Sequence, residues 1–453
     1  MVFKAYDIRG LHQKELDEDF AYSLGRSLGN KYSGKKILVG NDVRIGSNKL
    51  VKPFIYGLLE EGANVDYSGE ISTPLMYFGT KNNYDLGVIL TASHNPPEYT
   101  GFKMCDINCI PISPINEIKK IFKRYNLDEE TKKDIDNLDL KSMFVDISKK
   151  YIDFYLNRCS KSDILIAVDF ANGSTSIYEK EILDKLFKNK IFINDYPDGN
   201  FPAHNPDTLK RECLEDIIKT VKNNNCDIGV IFDGDGDRIG IIDEKGNVLQ
   251  GDILTAIIAM DILKKKKNDG FNDDIKIIYD LRCSKIVPEI IEKYGGIPIK
   301  TRVGHYFIKK LMHEVDGEFA GELSNHFYFK EIGYFESPIL ALNYLINIME
   351  ETGKTLSQLS SELKKYYHSG EINFKVSNQK LILEKLKEKY SNCKIEELDG
   401  LSVYCDNWWF NIRPSNTEPL LRLNLEGDTE ELMKEKVEEV KKFIEEIEKE
   451  FNV

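Results

Sequence analysis

At 453 residues and roughly 150 residues per domain, the chain holds about three domains, which excludes a single small module. Apolar residues make up 41%, charged residues 30% and aromatics 11%, enough to bury a core against the entropy of ordering and unlike a disordered or fibrous chain. Lys and Arg number 62 against 75 Asp and Glu, a net charge of −13; that field repels nucleic acid and anionic membrane, so any phosphate-bearing partner must be met by a local pocket.

The amino end, MVFKAYDIRG, carries no apolar signal region, and the longest apolar run, Ile253 to Met260, is too short to span a bilayer. The expected compartment is the cytoplasm. Short β-branched runs follow, alternating with longer amphipathic stretches: KKILVG at Lys35, DLGVILTASHN at Asp85, DILIAVDF at Asp163, DIGVIFDGDGD at Asp227 and IKIIYDLRC at Ile275. The alternation predicts an α/β fold of βαβ units with mostly parallel sheets. Ligands of such sheets sit beyond the carboxyl ends of strands, so the polar residues after each run are the place to look. The charged stretch from Lys119 to Lys150 reads as a solvated helix and linker, placing a boundary near 148. Lys264 to Lys267 reads as a charged helix end before the loop NDGFNDD and is assigned no function. After Tyr366 the texture turns to strand-like alternation in HSGEINFKV. This opens a smaller α+β segment, 370–453, that ends in the charged helix EELMKEKVEEVKKFIEEIEKEF. Eight cysteines lie scattered without C-x-x-C spacing and are expected to be reduced thiols.

The strongest local signal is IFDGDGDRIG, where Asp233, Asp235 and Asp237 alternate with Gly234 and Gly236 after an apolar strand. Two like charges ~4 Å apart repel by about 4 kcal/mol at an effective dielectric near 20, so three crowded carboxylates call for a hard divalent cation. A metal-free Asp-Gly turn is the plain alternative. An EF-hand is excluded, because its sixth position requires Gly and here is Arg238.

TASHNPPEYTGFK, Thr91 to Lys103, also follows a buried strand and places Ser93 at its exit. Alone, Ser93 and His94 read better as an ordinary turn than as a nucleophile. The acidic loop, the turn-fixing Pro96 and Pro97, and Lys103 as a nearby cation shift the reading toward chemistry. No G-x-S-x-G elbow is present, which disfavours acyl transfer. In GELSNH, Glu322, Ser324 and His326 could bind vicinal hydroxyls or form a buried polar cluster. In RPSNTEP, Arg413, Ser415, Asn416 and Thr417 suit a phosphate dianion or a helix N-cap, and the two are compatible. His305, in VGHYFIKK, reads either as a general acid/base or as a core histidine.

Taken together these segments resemble the α-D-phosphohexomutase superfamily, and the resemblance runs the length of the chain. KAYDIRG at Lys4, TASHNPPEYTGFK, YPDGNFPAHNPD at Tyr196, DGDGDR, YDLRCSK at Tyr279, VGHYFIKK, GELSNH and RPSNTEP fall in the family's order. The resemblance implies three similar α/β domains with mixed sheets plus a smaller α+β C-terminal domain around one central cleft. These are 1–148 with a phosphoserine loop, 149–249 with a metal loop, 250–369 with a sugar-recognition loop and 370–453 with a phosphate-binding loop. It implies a phosphoserine at Ser93 and magnesium held by Ser93, Asp233, Asp235 and Asp237. Arg9, Lys103 and Arg238 would add positive charge, with Lys103 or His305 moving protons. Tyr6, Arg282, Glu322, Ser324, His326, Arg413, Ser415, Asn416 and Thr417 would hold the substrate. The implied reaction interconverts hexose 1- and 6-phosphates of mannose or glucose through a hexose 1,6-bisphosphate, in a monomer or homodimer. A phosphoglucosamine mutase and a non-catalytic sugar-phosphate sensor are the alternatives. Thr100, Asn325 and the run Glu336-Ser337-Pro338 stand where relatives commonly have Asn, Gly and Asp-Asp-Gly, departures that bear on the sugar more than on phosphoryl transfer.

Overall fold

The computed structural model describes residues 2–270, 274–414 and 420–451. The first sheet contains β1 (Ile8–Leu11), β2 (Lys36–Asn41), β3 (Asn64–Glu70), β4 (Leu86–Leu90) and β5 (Tyr99–Asp106) in the order β1-β5-β4-β2-β3. Helices α1 (Glu18–Lys31), α2 (Ile45–Glu60) and α3 (Thr73–Thr80) flank it, and the short α4 (Lys119–Ile121) and α5 (Glu129–Asn137) follow. The stretch expected to be a solvated helix is therefore broken, because Leu127 and Ile135 turn inward against Tyr22.

After α6 (Ser148–Arg158), the second sheet is built from β6 (Ile166–Asp169), β7 (Lys190–Ile193), β8 (Ile228–Phe232), β9 (Ile239–Asp243) and β10 (Val248–Leu249), with α7 (Glu179–Leu186) and α8 (Glu215–Asn224). Its order is β10-β9-β8-β6-β7. Helix α9 (Gly251–Asn268) leads to β11 (Lys276–Asp280), α10 (Ile286–Lys293), β12 (Ile297–Thr301), α11 (His305–Val315), β13 (Phe319–Gly321), β14 (Phe327–Phe329) and β15 (Phe335–Glu336). These five strands run β12-β11-β13-β14-β15. The second and third sheets thus repeat one plan, three parallel strands followed by two antiparallel ones. The first follows it too, except that β1 from the amino end takes the outer antiparallel position beside β5. Mixed rather than mostly parallel sheets result.

Helices α12 (Pro338–Thr352) and α13 (Leu356–Leu363) precede the last sheet, formed by β16 (Tyr367–Lys375), β17 (Lys394–Glu396), β18 (Leu401–Tyr404), β19 (Trp408–Pro414) and β20 (Leu420–Gly427), with α14 (Gln379–Lys389) and α15 (Glu430–Phe451) packed on it. All its pairings are antiparallel. The pairing Lys394↔Tyr404 brings the flanking Cys393 and Cys405 opposite one another, with Cα atoms 5.1 Å apart, and they form a disulfide. Reduced thiols were expected throughout; hairpin register, which no cysteine spacing announces, overrides that for this pair. The other six cysteines are free and buried.

One apolar core runs continuously from the second and third sheets into α3, where Leu75, Met76 and Tyr77 join it, while the fourth unit keeps a core of its own. The run Ile253 to Met260 lies inside α9 and is largely buried. Among the described residues no helix is long and apolar enough to cross a membrane.

Candidate active site

Strand β4, LGVIL, is buried along its whole length, as a strand covered on both faces should be. The chain leaving it turns sharply at Ser93, whose φ is 54°, a conformation that costs a non-glycine residue of order 1 kcal/mol or more unless its surroundings hold it. They do. Arg44, completely buried, donates from Nη2 to the carbonyls of Ser93 and Asn95 (both 2.6 Å) and from Nη1 to those of Pro96 (2.7 Å) and Tyr99 (3.2 Å). Ser93 N–H donates to Thr91 Oγ1 at 2.9 Å, closing the turn from the other side.

The loop after β8 faces this turn. Ser93 Oγ donates to Asp233 Oδ2 at 3.0 Å. Gly234 allows that approach, since a Cβ there would lie 2.5 Å from the Ser93 carbonyl oxygen; Gly236 takes the left-handed turn at φ 74°. Asp233, Asp235 and Asp237 are all buried, and each offers an oxygen within 4.8 Å of the others. Lys103, on β5, donates to both Asp235 and Asp237. Thr73, at the start of α3, donates to Asp235 Oδ2 at 2.6 Å. Oδ1 of Asp235 is buried with no hydrogen-bond donor, and Oδ1 of Asp237 faces only the His326 imidazole, at 3.4 Å. Three converging carboxylates with an oxygen left over fit a hard oxygen-seeking cation, and they fit magnesium by charge and donor type.

The third unit closes on the same loop. Arg238 Nε lies 3.2 Å from His326 Nε2, and its backbone N–H donates to Asp233 Oδ1 at 3.1 Å. His326 lies 3.4 Å from Asp237 and 3.0 Å from Glu322, with Ser324 Oγ 3.2 Å from its Nδ1. Glu322 also accepts from Tyr328 OH at 2.8 Å and from Gly304 N–H at 3.1 Å. Asn325 sits at φ 67°, a left-handed conformation that Asn tolerates better than most residues. Arg282, at the end of β11, is held by Asp280 through Nε (3.0 Å) and Nη2 (2.7 Å).

Electrostatics follow from this crowding. Burial, then the neighbouring Asp237 and Asp235, push the Asp233 carboxyl well above the usual range. Burial would raise Asp237 as well, but Lys103 and His326 hold it well below. Burial and the neighbouring Arg238 would lower His326; Asp237 and Glu322 outweigh them and lift the imidazole to about 9. Glu322 is held low, burial being overcome by His326 and Arg282. His94, 3.3 Å from Ser93 Oγ, is kept neutral by burial and by Arg238 and Arg9. Burial and the nearby Asp399 and Glu322 keep the Tyr6 phenol protonated up to about 12.

Ser93, Lys103, the three aspartates, Arg238, Glu322, Ser324 and His326 therefore form one connected cluster. Arg9 adjoins it by donating to Asn95 Oδ1, and pairs with Asp7. Tyr6 donates to the Val303 carbonyl at 3.1 Å and sets its ring edge-on to His305. His305 opens α11 and contacts Tyr6 and Glu336, the latter at 3.7 Å. Arg413 is buried on β19, 3.4 Å from Glu371, and feels the charge of Arg282. Ser415, Asn416 and Thr417 lie outside the described residues. Sequence reasoning missed Arg44, Thr73 and Asn95. Arg44 was within reach of its own rule, since Asp42-x-Arg44 directly follows the apolar run of β2.

A serine pressed against a buried carboxylate triad, between α/β units of one repeated plan, marks the class of enzymes that move phosphoryl groups on multidomain scaffolds. Residues 1–131, 143–246 and 250–367 match, in turn, alpha/beta/alpha domains I, II and III of phosphoglucomutase/phosphomannomutase, and 371–443 match its C-terminal domain. The chain belongs to the phosphoglucomutase/phosphomannomutase family. It is 70% identical to a phosphomannomutase of Methanocaldococcus jannaschii over 98% of this chain and 97% of that one. It is 33% identical to a phosphomannomutase/phosphoglucomutase of Pseudomonas aeruginosa, covering 95% and 92%. A solved phosphoglucomutase/phosphomannomutase family protein from Burkholderia thailandensis superposes with a TM-score of 0.85 at 26% identity, covering 98% and 96%.

Proposed function

We propose that this chain is a phosphohexomutase interconverting the 1- and 6-phosphates of mannose or glucose through a phosphorylated Ser93 and a hexose 1,6-bisphosphate. The observation that carries this reading is Ser93 Oγ, 3.0 Å from Asp233 within a buried triad of carboxylates. In the first half-reaction the P–Oγ bond of phosphoserine breaks, a P–O bond forms to the free sugar hydroxyl, and that hydroxyl's proton leaves. After the bisphosphate turns over, the other sugar P–O bond breaks, P–Oγ re-forms, and a proton returns to the freed sugar oxygen. No water is consumed.

Asp233, Asp235 and Asp237, with Ser93, would hold magnesium, which when bound neutralises phosphoryl oxygens. Arg238, Lys103 and Arg9 place positive charge where a loose phosphoryl-transfer transition state spreads its negative charge. The double carboxylate grip on Lys103 keeps it a cation, so it suits charge stabilisation better than proton shuttling. That leaves His305, beside Glu336, as the candidate for moving the proton. Glu322 and Ser324 face sugar hydroxyls. Arg413 would hold the non-reacting phosphate, with Tyr6, Arg282 and His326 nearby.

The test is a substrate panel with magnesium and a trace of glucose 1,6-bisphosphate. Mannose 1-phosphate and glucose 1-phosphate should turn over well ahead of glucosamine 1-phosphate. Preference for the glucosamine substrate would overturn the sugar assignment, and turnover of none of the three would overturn the reaction.

A further inference from the structure

Arg44 is a fully buried cation far from any surface it could serve and is not part of the cluster just described. Four of its N–H groups are spent on backbone carbonyls of a single turn, those of Ser93, Asn95, Pro96 and Tyr99. Its Nε faces Asp42 Oδ2 at 3.1 Å, and that carboxylate is also fully buried. The flat side of the guanidinium lies 4.7 Å from the ring centre of Phe201, which comes from the second unit. Gly199 of the same segment is so close that a Cβ would stand 2.3 Å from the Val43 carbonyl oxygen.

The Ser93 and Asn95 carbonyls lie between β4 and β5 with no ladder to occupy them, whereas the Pro96 carbonyl also takes the Tyr99 N–H and Tyr99 opens β5; carbonyls turned inward must find donors. Arg44 supplies them, and in doing so fixes the backbone on both sides of Ser93. Two consequences reach the chemistry. The Ser93 backbone is kept at φ 54°, which aims Oγ at Asp233. Asn95, whose carbonyl is held by Nη2, presents its Oδ1 to Arg9 Nη1. A planar fork with five donors can do this; a lysine ammonium, with three donors at one point, cannot span carbonyls distributed over seven residues.

We propose that Arg44 is a positioning residue for the phosphate-carrying serine. It holds the Ser93 turn in the orientation for phosphoryl transfer while touching neither substrate nor metal. The proposal rests on the mutase reading above. Misplacing a reacting group by ~1 Å can cost about 10²-fold in rate, and the sugar-facing residues of the third and fourth units lie outside the clamp. Its loss should therefore appear in kcat and not in KM.

The experiment compares the full-length wild type with Arg44→Lys, using glucose 1-phosphate as substrate, glucose 1,6-bisphosphate as phosphoryl donor and magnesium. Thermal unfolding reports the fold, and intact-mass spectrometry follows phosphorylation of Ser93. A folded Arg44→Lys protein should lose about 100-fold in kcat and in the rate of Ser93 phosphorylation, with KM within about threefold of wild type. A kcat within threefold of wild type, or a loss confined to KM, overturns the clamp. Should Arg44→Lys not fold, Asp42→Asn decides, with about a tenfold loss in kcat at unchanged KM expected and an unchanged kcat contradicting the proposal. Wild type that never becomes phosphorylated would remove the mutase reading itself, whereas equal phosphorylation of wild type and variant removes the clamp alone.

Discussion

Ser93 acquires its character from neighbours more than from its hydroxyl: a left-handed backbone, a carboxylate at 3.0 Å and a second unit whose glycine lets it approach. The same density governs the aspartates. Asp235 has one oxygen shared by Lys103 and Thr73 and one left without a donor. Asp235→Asn keeps the shape and removes the charge, so the magnesium concentration for half-maximal activity should rise about tenfold or more; titrating activity with magnesium checks this. A second residue offers a pH signature away from the chemistry. Burial lowers His204, but its 3.0 Å contact with Asp169 outweighs burial and raises the imidazole above its ordinary 6.5. Stability from that contact is therefore complete below the unfolded value and is lost as pH rises through the folded one. His204→Asn should destabilise more at about pH 5.5 than at about pH 8.5, measured as the difference in unfolding temperature from wild type; an equal difference at both pH values would contradict it. At this scale the sequence was informative where chemistry demands unusual composition, as in DGDGD. It was silent where a common residue acquires a role through long-range contact, as with Arg44 or the Cys393–Cys405 pair.

Elements show a different balance. Five of the parallel strands were legible because each is a short apolar run closed by polar residues: β2, β4, β6, β8 and β11 fall on such runs, whereas their parallel neighbours β3, β7, β12 and β13 do not and went unread. Strand direction and sheet edge were not legible either, since side-chain alternation is the same for either orientation of a neighbour. That is why β1, recruited from the amino end to the edge of the first sheet, went unseen, although it places Arg9 opposite Gly101 and beside the strand carrying Lys103. Close helix packing was equally hidden. Gly25 of α1 meets α2 so tightly that a Cβ would lie 2.1 Å from the Phe54 carbonyl oxygen. Gly25→Ala gains about 1 kcal/mol in helix propensity but forces two backbones apart, and should cost a net ~2 kcal/mol. Urea unfolding tests this, and a stabilised variant would show that the helices separate freely.

Across the whole molecule, α3 ties three units together. Ser72 donates to Glu179 and Thr73 to Asp235 in the second unit, while Tyr77 packs on Phe335 and lies under the Lys309 ammonium in the third. The fourth unit is joined through polar groups instead. Lys300 reaches Glu396 (2.8 Å) and Tyr404 OH (2.7 Å), Lys285 reaches Asp428 (2.9 Å), and Asp399 accepts from Val303 N–H. Such contacts favour adjustment between domains. Lys300→Met should raise KM about fivefold, equivalent to about 1 kcal/mol of lost docking, with kcat nearly unchanged; steady-state kinetics would contradict it by showing a loss in kcat alone. The four-unit plan was legible from the order of motifs along the chain. The difference between a shared core and a polar joint was not, because both are built from ordinary residues that only the packing separates. The most direct measurement of the central claim labels the protein with glucose 1,6-bisphosphate carrying isotopic phosphorus, then chases with unlabelled glucose 1-phosphate. The label should appear on Ser93, be absent in Ser93→Ala, and pass into sugar phosphate as fast as turnover. A protein that stays unlabelled, or whose label leaves only as inorganic phosphate, would contradict the account.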